Sequence, residues 1–178
     1  RAPRKRRSRS PSSEPAGDMD PRRLLVVQSP WMMRLHTHPF SIVPRRVRIL
    51  LAEKGIPCEE VLVDLPGGEH KTAGFRRLNP FGQVPVLEHD GLVLCESIAI
   101  LEYLEELHPS PRLLASDPAE RAITRQLMLW SGDYFAEPWK AWMAPALALD
   151  APVDGPARER AHRAIAAHLD ALESRLGG

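Results

Sequence analysis

Ser41 sits just ahead of a helical pattern, at the end of Thr37-His38-Pro39-Phe40-Ser41. Helix N-termini carry unpaired amides and the positive end of the dipole, so a hydroxyl placed there can support an anion. A thiolate beside Ser41 would gain a charge-assisted hydrogen bond, which lowers the thiol pKa and raises the nucleophilic fraction near neutral pH. Taken alone, the same serine reads first as a helix cap. Val84-Pro85 stands where the chain turns into a strand. A cis peptide there would leave the valine N–H and C=O free to pair with an extended peptide, although a trans edge-strand proline is the commoner case. Glu96-Ser97 opens a helix directly after a strand, so a hydroxyl and free amides meet at a point able to hold a carboxylate or to cap the helix.

Other residues invite chemistry that their surroundings do not support. His36-x-His38 could present two imidazoles on one strand face, but no third ligand is nearby in sequence, so no metal site is assigned. Cys95 lies in an apolar strand and reads as a small buried hydrophobe. Trp130, Tyr134, Phe135, Trp139 and Trp142 form an aromatic cluster that reads as helical core or, more sharply, as a wall for a hydrophobic substrate.

The elements that must position these residues follow from local signals. Met33-Arg34-Leu35-His36-Thr37 alternates as a strand and is broken by Pro39. A helix is predicted from Pro44, with Val47, Leu50 and Leu51 on one face and Gly55 as its stop. Glu60 to Leu65 supplies a second strand, parallel to the first through the helical crossover. Turn signals at Pro66-Gly67-Gly68 and Asn79-Pro80-Phe81-Gly82 flank a short helix over 72–77. Val84 to Glu88 and Leu92 to Cys95 read as strands joined by His89-Asp90-Gly91, a hairpin turn. A helix over 96–107 follows, with His108-Pro109-Ser110-Pro111 beyond it. Asp117-Pro118 then starts a helix with Ile123, Leu127, Trp130 and Tyr134 at helical spacing, and a last helix spans about 155–176.

Composition agrees with an ordinary globular chain: of 178 residues, 43% are hydrophobic, 26% charged and 6% aromatic, and the formal net charge is +1. No apolar stretch approaches the roughly 18 residues of a membrane span. Cys58 and Cys95 show neither C-x-x-C nor metal spacing, which fits a reducing compartment, and a cytoplasmic location is expected. The charge is uneven: residues 1–23 carry a net +5 and the remainder a net −4. The block Arg4 to Arg9 lacks apolar residues to bury and is expected to stay disordered. No folded nucleic-acid motif accompanies it, so residues 1–31 read as a solvated tail, or as translated sequence upstream of a start at Met32 or Met33, rather than as a nucleic-acid contact.

Taken together, these positions resemble the glutathione transferase superfamily, in its bacterial-type, serine-type, theta- and zeta-like branch. The resemblance runs from about Met33 to the end of the chain and rests on Ser41-x-x-Pro-Arg-x-Val47, Gly68-Glu69-His70-Lys71, Leu78-Asn79-Pro80-x-Gly82-Gln83-Val84-Pro85-Val86-Leu87 and Glu96-Ser97-Ile98-Ala99-Ile100, in the family's order and spacing. It implies an α/β thioredoxin-like domain, β-α-β-α-β-β-α, over 32–108, a linker over 109–116 and an all-helical domain over 117–178. It implies that Ser41 donates to the glutathione thiolate, and that His70, Gln83 and, more weakly, Lys71 meet the glycyl end. Val84, before a cis Pro85, would pair with the cysteinyl backbone, and Glu96 with Ser97 would hold the γ-glutamyl end. Trp130 and Tyr134 would wall the hydrophobic co-substrate.

Glutathione is therefore the expected co-substrate and no metal is expected. Ser41 and Pro44 stand where a glutaredoxin-like relative carries C-x-x-C, so dithiol exchange is not expected. The resemblance also implies a homodimer through the helices near 97–107 and 118–135. Family members continue with further helices, including one with a buried Ser/Thr-x-x-Asp cap, so the helical domain is expected to be incomplete. The activity expected is conjugation of glutathione to a hydrophobic electrophile. The alternatives are a glutathione-dependent isomerase or dehalogenase, or a non-catalytic interaction module or inactive fragment on the same fold.

Overall fold

The computed structural model describes residues 33–143 and 155–176, and the structural statements below concern these residues. The basic block and the rest of the tail assigned to residues 1–31 lie outside them.

The chain opens as β1 (Met33–Thr37), α1 (Ile42–Lys54) and β2 (Cys58–Leu62), with β1 and β2 parallel. A 3-10 turn (Glu69–Lys71) and α2 (Ala73–Arg76) lead to the antiparallel hairpin of β3 (Val86–His89) and β4 (Leu92–Cys95), then to α3 (Ser97–Leu107). The four strands lie in the order β2-β1-β3-β4, with β3 antiparallel to β1. This is the thioredoxin-like arrangement. The remainder is helical: α4 (Pro118–Trp130), a π-helical segment (Ser131–Phe135), α5 (Ala136–Met143) and α6 (Gly155–Leu176).

Consecutive strand residues point to opposite faces, and Val86 and Leu87 accordingly enter different cores. Leu87 joins Met33, Leu35, Val47, Leu50, Leu51, Ile100 and Leu104, the core between the sheet and α1 with α3. Val86 joins Val63, Phe75 and Val84 on the other face, where α2 supplies the phenyl ring. Gly55 closes α1 in the left-handed conformation, φ 64, and Asp90-Gly91, φ 49 and 81, makes the two-residue hairpin turn.

Several boundaries differ from the sequence expectation. α1 begins at Ile42, two residues before Pro44; the proline still falls in the first turn, where no helical partner for its nitrogen is needed. β2 runs over 58–62 rather than 60–65, because its register with β1 ends at Thr37↔Leu62. Only one further bond, from the Val63 N–H to the Thr37 carbonyl at 2.9 Å, extends the pairing. β3 begins at Val86, since Pro85 has no N–H to give to a ladder.

Polar clamps tie α1 and α3 to the segment over 108–114 and α1 to α4. Lys54 Nζ, wholly enclosed, lies 2.6 Å from Glu105 Oε2. The same ammonium donates to the carbonyls of His108 and Pro111, each at 2.7 Å. Glu105 Oε1 accepts from the Leu113 and Leu114 N–H groups, at 3.0 and 3.1 Å. Arg46, whose pKa is lowered by burial, donates to the Met128 carbonyl on α4. Asp117 caps α4 as expected, accepting from the Ala119 and Glu120 N–H groups.

Candidate functional site

The strand registers bring the candidate residues to one end of the sheet. His36 pairs with Val86, and Val86 with Cys95, so the end of β1, the start of β3 and the end of β4 are neighbours. Ser41 follows the first, Val84-Pro85 precedes the second and Glu96-Ser97 follows the third.

Ser41 occupies the N-cap position of α1 with extended backbone, φ −83 and ψ 124, and its N–H donates to the His38 carbonyl at 3.0 Å. Its side chain makes no capping hydrogen bond. The hydroxyl at the positive end of α1 is therefore not consumed by the role that its position alone suggests.

The Val84-Pro85 peptide is cis, and both residues are buried. Among the described residues, neither the N–H nor the C=O of Val84 has a hydrogen-bond partner. Among the described residues Glu96 is one of two non-glycines with positive φ, at φ 67 and ψ 111. Its carbonyl accepts the first bond of α3, from the Ile100 N–H at 3.0 Å, while its carboxylate caps nothing and is exposed. Ser97 is buried as the first residue of that helix. Strained backbone of this kind persists where surrounding contacts over-determine it, and such positions concentrate at binding sites.

His70 and Lys71 come from the 3-10 turn, which Asp64 and Glu69 assemble. The Gly67 N–H donates to Asp64 Oδ1 at 2.8 Å, and the Asp64 N–H to Glu69 Oε2 at 2.7 Å. Gly82, at φ 62, brings the loop before β3 onto this turn: a Cβ at that position would lie 2.6 Å from the His70 carbonyl oxygen. The approach places Gln83 next to His70 along the chain path. Lys71 is exposed at the rim.

Trp130 ends α4 and Tyr134 lies in the π-helical segment that follows it. They line an open groove of about 510 Å³ with Ala164, Ala167, His168 and Ala171 of α6, and no glutathione-site candidate is among those lining residues. Arg175 lies over the Trp130 ring at 5.8 Å. The other aromatics pack mainly within the helical half: Phe135 stacks on Trp139 at 5.7 Å and tilts against His168 at 5.5 Å.

The cysteines and histidines are otherwise engaged. Burial first, then the negative charges of Glu60 and Glu59, pushes the Cys58 thiol up to about 11. Burial, then Glu96, also raises Cys95, whose Sγ donates to the Leu78 carbonyl at 3.3 Å. Neither is poised as a thiolate nucleophile at neutral pH. His36 Nε2 lies 2.6 Å from Glu88 Oε1, and His38 Nδ1 accepts from the Phe40 N–H at 3.4 Å.

Asn79, which enters the sequence analysis as a turn residue and within the family motif but not as a site candidate, is almost wholly buried, at 2% exposure, and hydrogen-bonded within the loop before β3. Its local signals are the Asn-Pro pair and its place in the motif that runs into Gln83 and Val84.

The family model described as "Glutathione S-transferase, N-terminal domain" matches residues 40–107. The maleylacetoacetate isomerase of Mus musculus is 52% identical over 84 residues, covering 46% of this chain and 39% of that protein. FtsZ-localized protein A of Caulobacter vibrioides is 36% identical over 155 residues, covering 80% of this chain and 65% of its own length. Human glutathione transferase theta-2, solved in complex with glutathione, superposes with a TM-score of 0.74 at 29% identity, over 82% of this chain and 62% of that one. Glutathione transferase F2 of Populus trichocarpa superposes with a TM-score of 0.70 at 30% identity, over 82% and 70%. The chain belongs to the glutathione transferase superfamily. Its matched segment spans only about two fifths of the length of the curated mouse and rat isomerases that it matches.

Proposed function

We propose that this chain binds glutathione at the sheet end built by Ser41, Val84 and Glu96-Ser97, and that the protein conjugates the glutathione sulfur to a hydrophobic electrophile. The observation that carries this reading is the set of uncommitted polar groups at one place: the Ser41 hydroxyl at a helix N-terminus, the Val84 main chain beside a cis proline, and the Glu96 carboxylate. An extended γ-glutamyl peptide requires such partners in series: a main-chain pair for its cysteinyl unit, and a carboxylate with a hydroxyl for its amino-acid end. His70, Gln83 and Lys71 serve the glycyl carboxylate.

Ser41 donates its O–H to the glutathione sulfur after the thiol proton has left to solvent. The thiolate electron pair then forms the S–C bond as the leaving group departs or the acceptor carbon takes the charge. Lowering the thiol pKa by two units needs about 2.7 kcal/mol of differential interaction. A hydroxyl donor with helix-end amides is of that order.

The same thiolate could add reversibly to a double bond. The identity to a protein named maleylacetoacetate isomerase favours a glutathione-dependent isomerase as a second reading of the same site. A partner-binding role is the third, favoured by the match to FtsZ-localized protein A across both halves of the chain. A cytoplasmic location, a homodimer through α3 and α4, and a division near residue 108 accompany the reading.

Calorimetry of glutathione on the full chain tests it, with Glu96→Ala and Ser41→Ala as variants. Micromolar-to-millimolar binding that Glu96→Ala abolishes, with turnover of an aromatic electrophile that Ser41→Ala lowers about a hundredfold, is the expected result. A folded chain that binds no glutathione would sink the proposal.

A further inference from the structure

Asn79 places every polar group it has into one loop. Its main-chain N–H donates to the Phe75 carbonyl at 3.0 Å, and its carbonyl accepts from the Gly82 N–H at 2.9 Å. Its side-chain Oδ1 accepts from the Phe81 N–H at 3.0 Å, and its Nδ2 donates to the Gln83 carbonyl at 2.8 Å. The residue is 2% exposed, so each lost partner would leave a buried polar group unsatisfied. The Gln83 carbonyl belongs to the peptide that leads into Val84. One amide thus fixes the main chain on both sides of Gly82, the glycine pressed against the His70 carbonyl.

We infer that Asn79 is a positioning residue for the glycyl half of the glutathione site: its Nδ2–H···O=C bond sets where Gln83 stands against His70 and where the Val84 peptide begins. The inference rests on the glutathione reading above. Asn79 does not act on the ligand itself. It is enclosed beneath the loop, and its influence passes through the Gln83 carbonyl and the Phe81 N–H. The γ-glutamyl end, held by Glu96-Ser97 at the end of β4, stands on a different element and is outside its reach.

This division gives a readout that general destabilisation would not mimic. Asn79→Asp keeps an oxygen for the Phe81 N–H but replaces the Nδ2 donor with an oxygen that repels the Gln83 carbonyl, so the bond to Gln83 is lost while the bond to Phe81 is kept. Calorimetry would compare glutathione with γ-glutamylcysteine, the dipeptide lacking glycine, on the wild-type chain and on this variant. Glutathione affinity should fall about tenfold, the equivalent of one buried hydrogen bond, while dipeptide affinity changes less than about twofold. The advantage of the tripeptide over the dipeptide is thereby lost.

Equal losses for both ligands, or none, on a variant with an unchanged circular dichroism spectrum would overturn the assignment. Asn79→Ser, neutral and too short to hold both partners, should show the same selective loss. If both variants fail to fold at 15 °C the inference is overturned as well, because Asn79 would then be a requirement of the core rather than of the subsite. A wild-type chain that binds neither ligand refutes the glutathione reading itself, which is a separate outcome from a wild type that binds both and a variant that matches it.

Discussion

Replacing Glu105 by Gln should destabilise the chain far more than any exposed charge change. Glu105 is 9% exposed, and its carboxylate faces a Lys54 ammonium with no accessible side-chain surface, 2.6 Å away. The substitution keeps the shape and removes the charge, leaving a buried cation without its counter-ion. Breaking one partner of a buried pair costs about 3–5 kcal/mol. The lower end applies, because Lys54 still donates to the His108 and Pro111 carbonyls at 2.7 Å. For a chain of this size about 3 kcal/mol lowers the thermal midpoint by roughly 6–12 °C.

The effect should also depend on pH with a definite sign. Burial pushes the Glu105 carboxyl up, but the Lys54 hydrogen bond and the Leu114 and Leu113 N–H groups outweigh it, and the pKa lies below its ordinary 4.5. A carboxyl depressed on folding contributes stability that is present above its unfolded value and lost as pH falls through its folded one. The gap between wild type and Glu105→Gln should therefore be full at pH 7 and narrow progressively below about pH 4.5. Glu102 is likewise depressed, first by its hydrogen bond from Arg125, but it is present in both proteins and cancels from the difference. Urea unfolding followed by circular dichroism from pH 7 to pH 3.5 supplies the measurement. A gap under about 1 kcal/mol at pH 7, or one that widens in acid, would refute the argument. Arg125→Ala, which breaks the exposed pair with Glu102, is the contrasting control and should leave the midpoint within measurement error.

Gly82→Ala meets two penalties at once. Its φ of 62 alone costs an alanine about 1–2 kcal/mol, and the new Cβ would press on the His70 carbonyl oxygen at 2.6 Å. A lower melting temperature and weaker glutathione binding should appear together, and an unchanged melt would mean that the loop moves freely off the 3-10 turn. Cys58, with its thiol pushed up to about 11, should react with iodoacetamide at pH 7.5 more than tenfold slower than a free cysteine of pKa about 8.5. Mass spectrometry of the timed reaction reads it, and a rate equal to that of free cysteine would contradict the burial assigned to Cys58.

What was legible in the sequence is what local chemistry determines, and the site owes its legibility to that. Ser41, Val84-Pro85 and Glu96-Ser97 each lie where one element ends and another starts, so Pro39, Pro44, Pro85 and the strand-to-helix change after Cys95 announce them without tertiary information. Gly55 and Asp90-Gly91 reveal the helix stop and the hairpin for the same reason. The end of β2 was not legible, because it depends on where β1 runs out of partners at Thr37. The π-helical segment was not legible either, because Trp130 and Tyr134, four apart, satisfy α-helical spacing equally well; Phe135 at its end tilts against His168 of α6. The same spacing argument placed Trp130 and Tyr134 on one wall, but spacing along a helix does not say which neighbour that wall faces; here it is α6. Whether Ser41 caps α1 or serves a ligand could not be decided from residue type, because both uses require an oxygen at one helix end. That hydroxyl makes no bond to its own helix, and the sheet registers bring the end of β1, the start of β3 and the end of β4, from which Ser41, Val84 and Glu96 extend, to one end of the sheet. A cap that stabilised the helix would accept from the first N–H groups of α1; the Ser41 oxygen accepts none of them, so neither its lone pairs nor its O–H is committed to the helix that it precedes.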